Sequence, residues 1–107
     1  MAMPHTKDLI TYFKQTPPNN VLDILEKLFP ELSLKETEAL YWFSFGMHTT
    51  DVSTLMKANS NTVKTYISRC KIKLNTESST DLRLVFHSRF NSFTLASSFN
   101  YNFPLIS

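Results

Sequence analysis

Apolar residues recur three and four positions apart over most of the chain, which is the spacing of amphipathic α-helices. Two short helices are predicted before the segment that begins at residue 31. The first covers 6–15 and is ended by the proline pair at 17–18, because proline disfavours helical backbone at the residue before it. The second begins at Asn19 or Asn20 and is ended by Pro30.

A third helix is predicted to begin after Ser33. Ser33 and Glu36 have the spacing of a capping box, in which each side chain accepts a hydrogen bond from the other residue's backbone amide. Gly46, the only glycine, stands where the end of this helix needs a residue in the left-handed conformation. The apolar face of the helix consists of Ala39, Leu40 and Phe43, with Trp42 beside it.

Two helices joined by a turn of about three residues follow. The first covers about 50–57 and is capped by Thr49 or Thr50, and the second covers about 60–74. Asn75 is an acceptable substitute for glycine at the end of the second helix. The residues of the second helix that form a buried stripe are Val63, Ile67, Cys70 and Leu74. Those on the opposite face are Asn61, Thr65, Ser68 and Ile72.

A last core helix is predicted from a cap at Ser78 to about Phe90. Beyond it, the large apolar residues between Phe93 and Leu105 all have odd numbers, which is the period of a strand or of an extended segment. They are Phe93, Leu95, Phe99, Tyr101, Phe103 and Leu105. We therefore expect this C-terminal tail to be irregular or extended.

Charge is distributed unevenly along the chain. Four lysines against seven acids give −3 over residues 1–56, and seven basic residues against two acids give +5 over 57–107, so the net charge of +2 conceals an asymmetry. The segment 57–74 holds five basic residues and no acid. Such a segment can neutralise phosphates and release counterions, although the same charges are also typical of a solvated helix face.

The composition excludes several classes of protein. With one glycine, the chain has no glycine-rich phosphate loop and no dinucleotide-binding fingerprint. It contains no run of about 18 apolar residues and no N-terminal secretory signal, so we expect a cytoplasmic protein that does not enter the membrane. No catalytic signature is visible, so we expect neither an enzyme nor a cofactor.

The single cysteine and the three histidines do not indicate a chemical site. Cys70 cannot form an internal disulfide, which fits a reducing compartment, and its place in the apolar stripe favours a small buried hydrophobe over a nucleophile. The histidines, at positions 5, 48 and 87, are too far apart in sequence to predict a zinc site. We expect no bound metal.

Two helices of unequal length joined by a short turn are the core of a helix-turn-helix, whose second helix enters the major groove of DNA. The second helix here carries side chains that suit base edges. Lys64 can donate to guanine, Asn61 can pair with adenine, and the methyl group of Thr65 can contact that of thymine. Arg69, Lys71 and Lys73 lie further along the helix, where contacts are more often to phosphates.

The chain resembles the LuxR/FixJ type of regulatory domain in several motifs that keep the family's order and spacing over about 59 of the 107 residues. The chain departs from the family pattern in the turn, where Lys57 stands in place of the usual glycine and Ala58 in place of the usual isoleucine. The matching motifs are Leu32-Ser33-Leu34-Lys35-Glu36-Thr37-Glu38-Ala39-Leu40, Gly46, Thr62-Val63-Lys64, Ser68-Arg69, Lys73-Leu74 and the start of a fourth helix at 78–82.

The resemblance implies an all-α fold with a four-helix LuxR-type core at 31–90, a helical N-terminal extension at 1–30 and the tail at 91–107. Since 1–30 resembles neither a receiver nor a sensing domain, we expect a stand-alone DNA-binding regulator. Base contacts are expected from Asn61, Lys64, Thr65 and Ser68. Phosphate contacts are expected from Thr49, Thr50, Thr62, Arg69, Lys71 and Lys73. In the family the fourth helix commonly pairs two protomers, which implies a homodimer interface of Leu82, Val85, Phe86 and Arg89.

Two other functions remain open on the sequence. The helix-turn-helix could serve as the scaffold of a protein-interaction module that modulates another regulator. It could also be a sigma-factor-like domain that binds RNA polymerase.

Overall fold

The computed structural model describes residues 19–98, and these form five α-helices and no strand. This confirms the predicted all-α class. The first predicted helix, at 6–15, and the tail from 99 to 107 lie outside the described residues. The helices are α1 (Asn19–Leu28), α2 (Leu34–Phe43), α3 (Thr49–Met56), α4 (Ser60–Lys73) and α5 (Ser79–Ser98).

Both predicted ends of helix α2 are confirmed. The Ser33 hydroxyl oxygen accepts from the Glu36 amide at 3.2 Å, and the Glu36 carboxylate accepts from the Ser33 amide at 2.9 Å. This capping box satisfies two amides that have no partner inside the helix. Gly46 follows the helix with φ of +86°, the left-handed backbone that glycine adopts at least cost.

The turn between α3 and α4 uses a left-handed residue other than glycine. Lys57 has φ 53° and ψ 43°, and Asn59 then caps α4 by accepting from the Asn61 amide at 2.8 Å. Asn75 takes the same left-handed role after α4, as predicted, with φ of 55°. The cap predicted for α3 at Thr49 or Thr50 is wrong, since His48 occupies the cap position and its side chain makes no cap bond.

Helix α5 begins as predicted, with the Ser78 hydroxyl accepting from the Asp81 amide at 3.1 Å. It continues to Ser98 instead of ending near Phe90, so the strand or extended structure expected for 91–98 is wrong. The helical spacing puts Phe86, Phe90 and Phe93 in a row, with ring centroids 5.8 and 6.5 Å apart. These aromatic contacts favour the helix over the period of two seen in the sequence.

Helix α2 lies at the centre of the core and packs against each of the other four helices. The stripe predicted on α4 is confirmed, because its first three residues are buried and Leu74 packs at the edge of the core. The largest fully buried side chains include those of Trp42, Phe29, Leu25, Leu40, Met47 and Leu82.

The loop after α1 is tied to α5 by Arg89. Its guanidinium donates to both carboxylate oxygens of Glu31, at 2.6 and 2.8 Å, and to the Leu28 carbonyl at 2.8 Å. The same guanidinium lies 4.9 Å from the centre of the Phe29 ring. The hydrogen bond from Arg89 holds the pKa of Glu31 below its ordinary value. Residues on both sides of the helix-turn-helix in sequence therefore meet in space.

Candidate nucleic-acid interface

Helices α3 and α4 form the predicted pair of unequal helices joined by a short turn. Val52 and Leu55 of α3 are buried in the same cluster as Val63 and Ile67 of α4, and α2 packs against the inner side of α4 as well. The inner face of α4 is therefore covered by the core. Its outer face is open to solvent among the described residues.

The four predicted base-contact residues, Asn61, Lys64, Thr65 and Ser68, are all exposed on this outer face. The Thr65 hydroxyl donates its proton to the Asn61 carbonyl at 3.0 Å, so a contact with another molecule would use the methyl group or the lone pairs of the hydroxyl oxygen. The structure therefore brings together a set of short polar groups and one lysine, which suits close approach to base edges.

Cationic side chains lie along both edges of the outer face. Lys64 and Lys71 are seven residues apart and share one edge, while Thr62 and Arg69, also seven apart, share the other. No carboxylate lies within ion-pair distance of any of these three cations among residues 19–98. Because the major groove is flanked by the phosphates of two strands, a helix with cationic groups on both edges suits it electrostatically.

A concave pocket of about 560 Å³ adjoins the Lys64 edge. Lys64, Ser68 and Lys71 line it from α4, and Thr49, the first residue of α3, lines it from the other side. The exposed amides at the start of a helix favour anions, so this pocket combines a helix N-terminus with lysine side chains. Thr50 is exposed on the next position of α3.

Lys73 does not join this set of cations. Its ammonium group donates to the Glu36 carboxylate at 2.7 Å, and the Glu36 side chain is only 3% exposed. Burial acts to raise the pKa of Glu36, but the hydrogen bonds from Lys73 and Ser33 and the charge of Lys73 outweigh it and lower that pKa. The structure thus places Lys73 in a link between α4 and α2.

Arg83 is a structural residue that sequence reasoning missed. Its guanidinium donates to the carbonyls of Phe43, at 2.9 Å, and Met47, at 3.4 Å, and lies 4.0 Å from the centre of the Phe43 ring. Burial lowers the pKa of Arg83. It satisfies carbonyls after α2, fixes α5 there and lines the pocket described above. No local signal could have found it, because its partners are 36 to 40 residues away.

Cys70 is fully buried, as predicted from the apolar stripe. Burial, together with the nearby charge of Glu36, raises the pKa of its thiol to about 12, and the thiol donates to the Glu36 carbonyl at 3.5 Å. It therefore behaves as a small core residue. No group of three or more metal-ligating side chains is found in the described part of the chain.

The residues predicted for a dimer interface have little surface to offer a second chain. Leu82 and Phe86 are buried in the core, Val85 is half-buried, and Arg89 is bound to Glu31 and Leu28. The exposed side of α5 instead presents a different stripe of residues spaced four, three and four apart. These are Leu84, Ser88, Asn91 and Leu95, of which the two leucines are 61% and 58% exposed.

No helix among the described residues is long and apolar enough to cross a membrane.

The sequence model of the luxR family of bacterial regulatory proteins matches residues 30–86, more than half of the chain. The matched region contains α2, α3, α4 and the first part of α5, together with all four predicted base-contact residues. No curated protein and no solved structure matches the chain significantly.

Proposed function

The chain belongs to the luxR family of bacterial regulatory proteins, whose helix-turn-helix domains bind DNA, and on this premise we propose a sequence-specific transcriptional regulator that inserts α4 into the major groove. The observation that carries this proposal is the outer face of α4, which is exposed, polar at its centre and cationic at both edges. Acting on chromosomal DNA, such a regulator would work in the bacterial cytoplasm.

In the proposed complex the centre of this face reads the bases. Lys64 donates to guanine, Asn61 pairs with adenine, and Thr65 and Ser68 make the closest approach to the groove floor. All four side chains are exposed on the side of α4 that is turned away from the core, and this supports their assignment.

The edges of the face hold the DNA backbone. Lys71 and the start of α3 at Thr49 and Thr50 contact one strand, and Thr62 and Arg69 contact the other. The two-sided arrangement of cations supports this division. Lys73 is omitted because its charge is already used by Glu36.

The test begins with in vitro selection of a duplex from a random pool by the purified protein. Affinity for that duplex is then measured by fluorescence anisotropy over a range of salt concentrations. Lys64→Ala should weaken binding by about 5- to 150-fold, equivalent to roughly 1–3 kcal/mol, and relax the preference at one base position. Arg69→Ala should lower the salt slope by about one with little change of sequence preference.

The matched control is Lys27→Ala, which removes one positive charge from an exposed position on α1, away from α4. It should leave the sequence preference unchanged and alter affinity only slightly. If Lys64→Ala and Arg69→Ala bind as tightly as the parent protein at every salt concentration, the proposed interface is wrong.

We further propose that two copies pair through the exposed stripe of α5. Its spacing of four, three and four reads the same in both directions, so two antiparallel copies would place Leu84 of one against Leu95 of the other. The small polar residues Ser88 and Asn91 would then lie where the two helices cross. Such a dimer would present its two α4 helices to half-sites about one turn of DNA apart.

Sedimentation velocity tests this arrangement. Leu84→Asp should convert a dimer to a monomer, whereas Leu34→Asp, at another exposed leucine on α2, should leave the dimer intact. A parent protein that remains monomeric in the presence of a two-half-site duplex would contradict the dimer, without affecting the proposed groove contacts.

A further inference from the structure

One apolar side chain stands on the polar outer face of α4. Ile72 is 78% exposed, more than any other large hydrophobic side chain that the structure describes. The core needs no residue at this position, because Cys70 and Leu74 on either side of it already continue the buried stripe. A single exposed hydrophobic side chain is common on protein surfaces, so what Ile72 can contact depends on the residues that share its face.

Ile72 lies in line with the base-contact residues. It follows Ser68 by four residues, Thr65 by seven and Asn61 by eleven, so all four share one face of the helix. At 1.5 Å per residue, Ile72 lies about 16 Å along the helix axis from Asn61, so the two side chains stand at opposite ends of the face that α4 would turn towards the groove.

The surroundings of Ile72 indicate the chemistry of its partner. Its exposed neighbours on the outer face, Ser68 and Arg69, are polar or charged, and Lys71 precedes it. A single apolar group among cations does not form the apolar patch that protein partners require. It fits a polyanion that itself carries isolated apolar groups. The major groove of DNA is such a surface, because each thymine presents a methyl group there.

We infer that Ile72 contacts the 5-methyl group of a thymine at the end of the binding site opposite to Asn61, and so contributes to sequence specificity. The inference rests on the proposed function, since it requires α4 to lie along the major groove. The contact of Ile72 would add an apolar interaction to a face of α4 whose other proposed base contacts are mainly hydrogen bonds.

The experiment removes the methyl group from the DNA and the side chain from the protein in turn. The duplex selected by the parent protein is resynthesised with each thymine replaced singly by deoxyuridine, which lacks only that methyl group. Affinities of the parent and of Ile72→Ala are measured for every duplex. For the parent we expect deoxyuridine at one position in each half-site to lower the affinity about fourfold. This is the value that corresponds to the burial of one methylene-sized group.

Ile72→Ala should bind the unmodified duplex about fourfold more weakly and should lose nothing further at that deoxyuridine position. Leu34→Ala, which truncates an exposed hydrophobic side chain away from α4, is the matched control and should retain the full deoxyuridine effect. Because Ile72 is exposed, its substitution should leave the unfolding midpoint close to that of the parent.

The outcomes separate this inference from the proposed function. If the parent shows no salt-dependent affinity for any duplex, the proposed function fails first. If the parent selects a sequence but Ile72→Ala binds it equally well, or responds to every deoxyuridine as the parent does, the thymine contact is wrong. Loss of self-association by Ile72→Ala with unchanged DNA affinity would also overturn it and assign Ile72 to a protein interface.

Discussion

Replacing Lys73 with alanine separates the structural cations of α4 from those proposed to contact DNA. The substitution removes the ammonium group that donates to Glu36 at 2.7 Å, while the Glu36 side chain stays buried at 3% exposure. The carboxylate keeps one hydrogen bond, from the Ser33 amide at 2.9 Å. The variant therefore holds a buried carboxylate that has lost its only ion-pair partner among the described residues.

The expected cost lies between two limits. Breaking a fully buried ion pair costs about 3–5 kcal/mol, and an exposed pair contributes about 0–1 kcal/mol. Here Glu36 is buried, but Lys73 is 40% exposed, so solvent screens part of the attraction. The remaining Ser33 bond reduces the loss further. We expect Lys73→Ala to lower the free energy of unfolding by about 1–3 kcal/mol at neutral pH.

The sign of the pH dependence follows from the pKa of Glu36. In the parent that pKa is below the ordinary 4.5, so the carboxylate stabilises the fold above pH 4.5, and this contribution is lost as the pH falls through the lower folded value. In the variant burial persists without the opposing lysine, so the pKa of Glu36 should rise. The deficit relative to the parent should therefore be largest near pH 7. It should shrink as the pH falls through the raised folded pKa of the variant and then through the lowered folded pKa of the parent, below 4.5.

The assay is urea unfolding followed by the fluorescence of Trp42, the single tryptophan, which is buried in the core. Lys71→Ala is the comparison, since Lys71 lies two residues away and forms no ion pair within the described residues. Lys73→Ala should lower the urea midpoint and keep the salt slope of DNA binding. Lys71→Ala should keep the urea midpoint of the parent and lower the salt slope of DNA binding. If Lys73→Ala leaves stability unchanged at pH 7 but lowers the salt slope, Lys73 contacts DNA and does not stabilise the fold through Glu36.

Three further predictions concern stability and are measured by the same urea unfolding. Gly46→Ala should cost about 1–2 kcal/mol from backbone strain alone, because a Cβ there would meet no atom within 4 Å; a loss above about 3 kcal/mol would indicate a clash. Lys57→Gly should stabilise by about 0.5–1 kcal/mol by relieving the left-handed strain, and a destabilised variant would contradict this. Arg89→Ala should cost about 1–2 kcal/mol through loss of its bonds to Glu31 and of its contact with Phe29, whereas an unchanged midpoint would show that this link is not stabilising.

Local signals in the sequence predicted the features that depend on neighbouring residues. The capping box at Ser33, the left-handed Gly46 and the buried stripe on α4 each depend on spacings of a few residues, so they were readable without a structure. The exposure of the predicted base-contact face followed from the same stripe, because the residues opposite a buried stripe face solvent.

Features that depend on contacts between residues far apart in the chain could not be predicted from the sequence. The pairing of Lys73 with Glu36 spans 37 residues, and sequence reasoning therefore counted Lys73 among the phosphate contacts. Leu82 and Phe86 were assigned to a dimer interface from the resemblance to the family, and nothing local in the sequence shows how much of their surface the protein's own core covers. The extension of α5 to Ser98 was hidden by the alternating pattern of the tail.

The most direct test of the central proposal is an amide chemical-shift titration of the full chain with the selected duplex. We expect the largest shifts on residues 59–72 of α4 and its cap and on residues 47–50 at the start of α3, with α1 nearly unchanged. Large shifts confined to α1 or α5, with the amides of α4 unmoved at saturating DNA, would contradict it.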